Sequence, residues 1–284
     1  MAELPPRVSR RTLLRSVAGG ALASPLLWTL YGEPRRMEVV RQEVAIPDLP
    51  VAFEGYRIGQ ISDLHYPRNI TPSFIAKAVR RLRAEKPDLI VMTGDFFDGH
   101  AHSPVVPAAA HFLGELEAPD GVLACLGNHE IALNKRGAIR ELKRAGMEVL
   151  VNGWTTITKG GESIRFAALD DLMYGQPDPV VAIPNGGKPT ILLCHNPDYA
   201  EYHDPVRRVD LMLSGHTHGG EVVLPFVGAT FVPSRFGRKY RAGLVAGPNC
   251  PVFVSKGVGS PRHFRWGVPP DVSLITLRRA LPSP

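Results

Sequence analysis

Eight side chains carry the chemistry this sequence can perform: Asp63, His65, Asp95, Asn128, His129, His195, His216 and His218. Carboxylate, imidazole and amide-oxygen donors follow five different apolar runs, and no cysteine is among them. Such a donor set suits a pair of borderline-to-hard divalent cations rather than a thiolate-bound structural zinc. A single histidine after a strand is more often a hydrogen-bonded residue than a ligand. The joint pattern is what points to a metal site.

These residues need strands that end together. Leu89-Ile90-Val91-Met92-Thr93 is an uncharged run that reads as a strand buried on both faces. Gly94 then turns the chain and lifts Asp95 beyond the carboxyl end, where ligands gather in open α/β sheets. Residues 56–62 alternate as a strand delivering Asp63 and His65, and period-two spacing puts both on one side. Thr71-Pro72 caps a helix with an apolar stripe of Phe74, Ile75, Ala78, Val79 and Leu82; Lys77, Arg80, Arg81 and Arg83 make its solvated face. A helix over 105–116 precedes a strand at 122–126, which ends in Gly127-Asn128-His129-Glu130. A helix over 135–145, closed by Gly146, then leads to a strand at 147–151. Alternating strand and helix predicts a layered α/β sheet.

From Asn152 the texture changes. Short runs at 155–158, 164–169, 191–194, 211–213, 221–224, 252–255 and 272–277, punctuated by Gly, Pro and Asn, predict a second, more antiparallel sheet. Two of them end in chemistry, Cys194-His195-Asn196-Pro197 and Ser214-Gly215-His216-Thr217-His218-Gly219-Gly220.

At 284 residues, 44% hydrophobic and 21% charged, the chain has globular composition. The net charge of +6 is partly local: Arg7, Arg10, Arg11 and Arg15 against Glu3 supply three charges, leaving about +3. That balance, without basic and aromatic interleaving, argues against a nucleic-acid partner. Cys125, Cys194 and Cys250 are odd in number and widely spaced, which implies no disulfide framework; the first two sit in apolar runs as small hydrophobes. His100, His102, His111, His203 and His263 match no pattern and are expected on the surface.

Residues 1–36 read as a targeting segment and linker ahead of one domain at 37–284. A basic start precedes a small-residue apolar run ending in Ala21-Leu22-Ala23, a cleavage candidate. Ser9-Arg10-Arg11-Thr12-Leu13-Leu14 resembles the twin-arginine export signal. That route carries folded proteins, which suits an enzyme that loads metal before leaving the cytoplasm. The expected destination is the periplasm or cell envelope, with the translocation machinery as a partner. Pro25-Leu26-Leu27-Trp28-Thr29-Leu30 prolongs the apolar run, so an uncleaved leader would tether the protein at the membrane.

Taken in order, Asp63-x-His65, Gly94-Asp95-x-x-Asp98, Gly127-Asn128-His129-Glu130, His195 and Gly215-His216-x-His218 resemble the five motifs of the calcineurin-like metallophosphoesterases. The likeness runs from about residue 52 to the end. His195-Asn196-Pro197, His218-Gly219-Gly220, Tyr240 with Gly243, Ser255 with Gly257 and Gly259, and a late arginine before Pro270-Asp271 resemble the exported, YaeI-like phosphodiesterase branch.

The resemblance implies a four-layer α-β-β-α sandwich, an α/β fold with two mixed β-sheets face to face and a dinuclear metal site at the strand C-terminal ends. It implies two divalent ions, with manganese, iron and zinc all compatible. One would be held by Asp63, His65, Asp95 and His218, the other by Asp95, Asn128, His195 and His216, so that Asp95 bridges. The implied reaction is phosphoester hydrolysis by in-line attack of a metal-bridging hydroxide. His129 matches the catalytic histidine and Asp98 the carboxylate that pairs with it in some members. Arg262 and Arg265 either touch a substrate phosphate or bind their own C-terminal loop. A phosphodiesterase is the first expectation. A phosphomonoesterase, a lipid-linked phosphohydrolase or pyrophosphatase at the membrane, and a non-enzymatic scaffold are the alternatives.

Overall fold

The computed structural model describes residues 24–98, 112–262 and 264–280. The leader's first 23 residues, most of the helix expected over 105–116, and His100, His102, His111 and His263 lie outside them.

The apolar runs resolve into two sheets because their side chains alternate between two cores. In Leu89–Thr93, Leu89 and Val91 enter one buried cluster while Ile90 and Met92 enter another. The first cluster lies between the sheets, where Leu89, Val91, Leu123 and Ile275 meet Phe166, Ile191, Leu193, Leu213 and Phe253. A strand with both faces buried has no polar side to show, so its sequence is uninterrupted.

The first sheet has the spatial order β1 (Glu38–Ile46), β14 (Asp271–Arg279), β2 (Arg57–Ile61), β3 (Leu89–Thr93), β4 (Val122–Cys125) and β5 (Glu148–Val149). From β2 to β5 the strands are parallel. Helix α1 (Pro72–Ala84) packs Ile75, Ala78, Val79 and Leu82 on the outer face of this sheet. Thr71 Oγ1 accepts from Phe74 N–H at 3.3 Å and satisfies one orphan donor of the first turn. Its basic face is exposed, and Arg81 and Lys77 reach the carbonyls of Met37 and Arg35.

The second sheet runs β12 (Gly243–Ala246), β13 (Pro251–Val254), β9 (Leu211–Ser214), β8 (Thr190–Leu193), β7 (Glu162–Ala168) and β6 (Gly153–Lys159). Only its two edge pairings are antiparallel; the interior is parallel, which corrects the expectation of a more antiparallel sheet. The reason lies in the crossovers, which return each strand to the same end through irregular chain. The layer outside this sheet is accordingly thin, with a four-residue helix α3 (Pro179–Ala182) and the turn Pro197–Glu201.

Three more expectations change. The run at 272–277 belongs to the first sheet, where β14 lies parallel to β1 and antiparallel to β2. The run at 221–224 contributes only β10 (Val223–Leu224), paired with β11 (Gly228–Ala229) in a separate ribbon. The helix expected from Lys135 is present and follows directly on a shorter helical stretch from Asn128: α2 (Asn128–Arg144) is kinked at Asn134, whose Oδ1 caps the half beginning at Lys135 through Gly137 N–H at 3.0 Å. His203 is buried rather than exposed, its ring 5.9 Å from that of Tyr199, and burial lowers its pKa. All three cysteines are free and buried.

The α1 cap can be tested in isolation. Thr71→Ala should lower unfolding free energy by about 1 kcal/mol and leave metal content unchanged, as read by urea denaturation and elemental analysis.

Candidate metal centre

Both sheets point the carboxyl ends of their strands at one place. Asp63 and His65 follow β2, Asp95 follows β3, Asn128 and His129 open α2 after β4, His195 follows β8, and His216 and His218 follow β9. Asp63 and His65 share the site for a reason other than strand periodicity. Both lie beyond the strand with φ of 52°, in the left-handed region. Asp63 N–H and His65 N–H donate to Gly94 O and Asp95 O, so the two loops extend the β2–β3 pairing. Short-range strain of this kind is held by the surrounding hydrogen bonds.

The donor atoms form two sets around one oxygen. His65 Nε2 lies 3.1 Å from His218 Nε2, 3.9 Å from Asp63 Oδ1 and 3.8 Å from Asp95 Oδ2. His195 Nε2 lies 3.1 Å from the same Asp95 Oδ2, 3.2 Å from Asn128 Oδ1 and 3.2 Å from His216 Nδ1. Asp95 Oδ1 accepts from His129 N–H at 2.9 Å, which leaves Oδ2 common to both sets. Each atom the sequence singled out as a ligand is therefore present in the cluster.

The residues fit a pair of ions. Bonds of about 2.1 Å place neighbouring ligand atoms about 3 Å apart, as several of these are. Among the described residues the buried Nδ1 atoms of His65 and His218 have no hydrogen-bond partner, His65 Nδ1 lying 3.7 Å from Asp98 Oδ2, and the Nε2 atoms face each other and carboxylates. His195 Nδ1 is 2.7 Å from Thr93 O; a carbonyl can only accept, so Nδ1 carries a proton, and Nε2, 3.1 Å from Asp95 Oδ2, is the atom that would give up its proton to bind a metal.

Charge is distributed unevenly. Burial opposes ionisation of Asp95, yet the imidazoles of His195, His65 and His129 hold its carboxyl well below the usual carboxylate range. Burial and the neighbouring His195 push His216 down to about 3, and burial with His65 pushes His218 down as well. Both stay neutral Lewis bases.

His129 is the member that faces out. Its side chain is 30% exposed, whereas the seven expected ligands are buried. Nδ1 lies 2.8 Å from Asp98 Oδ1, and Nε2 lies 3.9 Å from Asp95 Oδ2. Burial works against its charge, but the Asp98 bond and the Asp95 charge raise its pKa to about 9. The same partnership, with His65, holds Asp98 well below its ordinary value despite burial.

A cavity of about 150 Å³ opens over the cluster, walled on its other side by Phe231, Pro233, Pro261 and Arg262. The two expected substrate arginines separate here. Arg262 lines the cavity, stacked 5.1 Å from the Phe231 ring centre and 3.4 Å from Glu221. Arg265 is buried, and its guanidinium donates to the carbonyls of Lys256, Gly257, Gly259 and Val268, binding its own loop. That loop is packed on the first ligand: a Cβ at Gly257 would lie 2.6 Å from Asp63 Cβ.

The residue that sequence reasoning left without a role is Glu130. Its fully buried carboxylate accepts four backbone N–H bonds, Oε1 from Phe96 and Phe97 at 2.7 and 3.0 Å, Oε2 from Asp95 and Gly127 at 2.8 and 2.9 Å. It clamps the Asp95 loop to the start of α2. Its place at the end of the Gly-Asn-His-Glu run, three residues into a helix, was the available signal. Gly127 serves the same approach, since a Cβ there would lie 2.2 Å from Asp95 Oδ1.

Glu130→Gln turns an NH₂ toward two of those four donors. It should cost about 2–4 kcal/mol, measured by urea denaturation in the presence of chelator so that metal loss does not enter. For the pair, an acid role for His129 would require its proton, so that role predicts activity lost as pH rises through its pKa. Asp98→Asn removes the charge that raises that pKa, and the alkaline limb of kcat should move to lower pH with kcat reduced about tenfold or more.

Comparison with known proteins agrees with this geometry. Residues 56–220 match the calcineurin-like phosphoesterase family. The chain is 34% identical over 278 residues to the phosphodiesterase YaeI of Escherichia coli strain K12, covering 95% of this chain and 99% of that one. It is 32% identical over 287 residues to the metallophosphoesterase YkuE of Bacillus subtilis strain 168, covering 96% and 98%. It is 28% identical over 314 residues to the UDP-2,3-diacylglucosamine pyrophosphatase LpxG of Chlamydia trachomatis, covering 89% and 94%. With two sheets converging on a dinuclear set of donors and this match over most of its length, the chain belongs to the calcineurin-like phosphoesterase family and is a metal-dependent phosphohydrolase.

Proposed function

We propose that the chain is a phosphodiesterase in which His129 is the proton donor to the leaving oxygen. The observation that carries this reading is the sharing of Asp95 Oδ2 by two donor sets, with His129 standing outside both. Asp63, His65, Asp95 and His218 would hold one divalent ion; Asp95, Asn128, His195 and His216 would hold the other. Bound there, the ions supply Lewis acidity toward phosphoryl oxygens and water.

The chain's own groups do the rest. Asp98 takes the Nδ1–H of His129 and fixes the ring so that Nε2 faces the cavity. An imidazolium with a raised pKa keeps its proton at neutral pH and gives it to the departing oxygen. Arg262 presents a guanidinium from the opposite wall, where a substrate phosphate oxygen can accept from it. The preference for a diester rests on similarity to YaeI. Similarity to LpxG makes pyrophosphate cleavage the second reading.

We also propose that Arg10 and Arg11 address the folded protein to the twin-arginine route, so that it works in the periplasm or cell envelope.

The first test is hydrolysis of bis(p-nitrophenyl) phosphate beside p-nitrophenyl phosphate, on metal-stripped protein with manganese, zinc or iron restored. The diester should be preferred and activity should return with metal. Preference for the monoester would overturn the diesterase reading. Asp95→Asn should lower metal content and abolish turnover while the far-UV circular dichroism is retained, and His129→Ala should keep its metal and lose about 10²- to 10⁴-fold in kcat. Arg10→Lys with Arg11→Lys should hold a reporter fusion in the cytoplasm of a host with a twin-arginine translocase; continued export would sink that assignment.

A further inference from the structure

The chain that leaves the ligand His218 does something unusual at the mouth of the cavity. The ribbon of β10 and β11 projects Leu224, Pro225, Phe226 and Val227, and Phe226 is as exposed as an isolated side chain, at 110%. Val227 N–H closes on Pro225 O at 2.8 Å, and Phe226 between them has φ of 66°. A three-residue turn with a bulky residue in the left-handed region is rare and strained. Here the strain holds an aromatic ring away from the protein.

This apolar tip continues toward the site and beyond it. Phe231, half exposed, forms the cavity wall and carries the Arg262 guanidinium. Arg262 also borders a second, neighbouring cavity of about 370 Å³, whose far wall is Leu30 and Tyr31. There the described chain emerges from its N-terminal apolar run, with Leu26, Leu27, Trp28 and Tyr31 all exposed. Exposed apolar side chains therefore stand on both sides of Arg262.

The charge of the same segment selects the partner. Residues 222–241 contain Arg235, Arg238, Lys239 and Arg241 and no carboxylate. Lys239 pairs with Glu201, while Arg238 and Arg241 donate to the carbonyls of Val227 and Gly219, and among the described residues neither is paired with a carboxylate. Apolar residues at a tip with cations behind them are complementary to an anionic lipid surface, where apolar burial and headgroup attraction add. No helix of the described residues is long and apolar enough to span a bilayer.

We propose that the Leu224–Val227 tip docks the protein on anionic membrane, with the metal cavity open at headgroup level. The inference deepens the phosphohydrolase reading by locating its substrates at a lipid surface. The docking surface itself is independent of the chemistry.

The test is sedimentation of the full chain with vesicles of phosphatidylcholine alone or with one third phosphatidylglycerol, for the unsubstituted protein, Phe226→Ser/Val227→Ser and Arg238→Gln, which removes the cation bound to Val227 O. Partition onto the anionic vesicles should exceed that onto neutral ones about tenfold and should fall about tenfold in the tip variant. Arg238→Gln should weaken only the anionic preference. Equal partition of unsubstituted and tip-variant protein would overturn the proposal, because binding would then reside in the N-terminal apolar run. No partition at all would overturn it too and leave the face to a protein partner. Hydrolysis of soluble bis(p-nitrophenyl) phosphate, run on the same preparations, should be unchanged in the tip variant. Vesicle binding without any turnover would sink the diesterase reading and leave the docking surface standing.

Discussion

The constraint on which this structure depends is the burial of acidic groups at one point. Asp63, Asp95 and Glu130 are buried within a few residues of one another's loops, and each needs partners that bulk water no longer supplies. The protein answers with backbone. Four N–H groups converge on Glu130, His129 N–H binds Asp95, and His216 N–H donates to both oxygens of Asp63 at 3.0 and 3.1 Å. Loops that must present their N–H groups inward cannot be regular, and so the ligand positions 63, 65, 95, 216 and 218 all have positive φ.

The same hydrogen bonds join the two sheets. His195, at the end of β8, reaches across to Thr93 O of β3, and Gln60 of β2 reaches Ser214 O of β9 while also binding Thr93. Behind them the inter-sheet core is packed with apolar side chains, among them Val91, Leu123, Phe166, Leu193 and Ile275, which hold the two sheets in place. The metal cluster is thus placed by the hydrophobic core and trimmed by polar contacts. Precision comes from the sheet ends, where strand geometry leaves little freedom.

The two walls of the cavity are built differently. The cluster side of the cavity is rigid and buried; the opposite wall is Phe231, Pro233 and Arg262, on the ribbon segment and the 260s loop. Under the proposed function this divides the donors on strand ends from a loop-borne wall facing substrate, the usual division between scaffold and loop. Glu221 ties the two walls, receiving the Ser260 hydroxyl and facing Arg262.

Much of this was legible in the sequence, for definite reasons. A metal site needs particular donors, so Asp63, His65, Asp95, Asn128, His129, His195, His216 and His218 announce themselves by type, and the tight turns around them announce themselves as glycine. A strand buried on both faces has no alternative to an apolar run, which made Leu89–Thr93 readable. What tertiary structure decided were matters of partnership. Nothing local tells Arg262 from Arg265; one faces a cavity and the other four carbonyls because of how the chain after β13 folds back on Asp63. The run at 272–277 joins the first sheet because β1 and β2 leave a place between them, and strand order is a long-range choice that periodicity does not encode. In the sequence Glu130 only closes the Gly127-Asn128-His129-Glu130 run, and only the fold turns it into the acceptor of four backbone groups from two loops. Residue types determined which chemistry was available; the packing of two sheets determined which atoms meet.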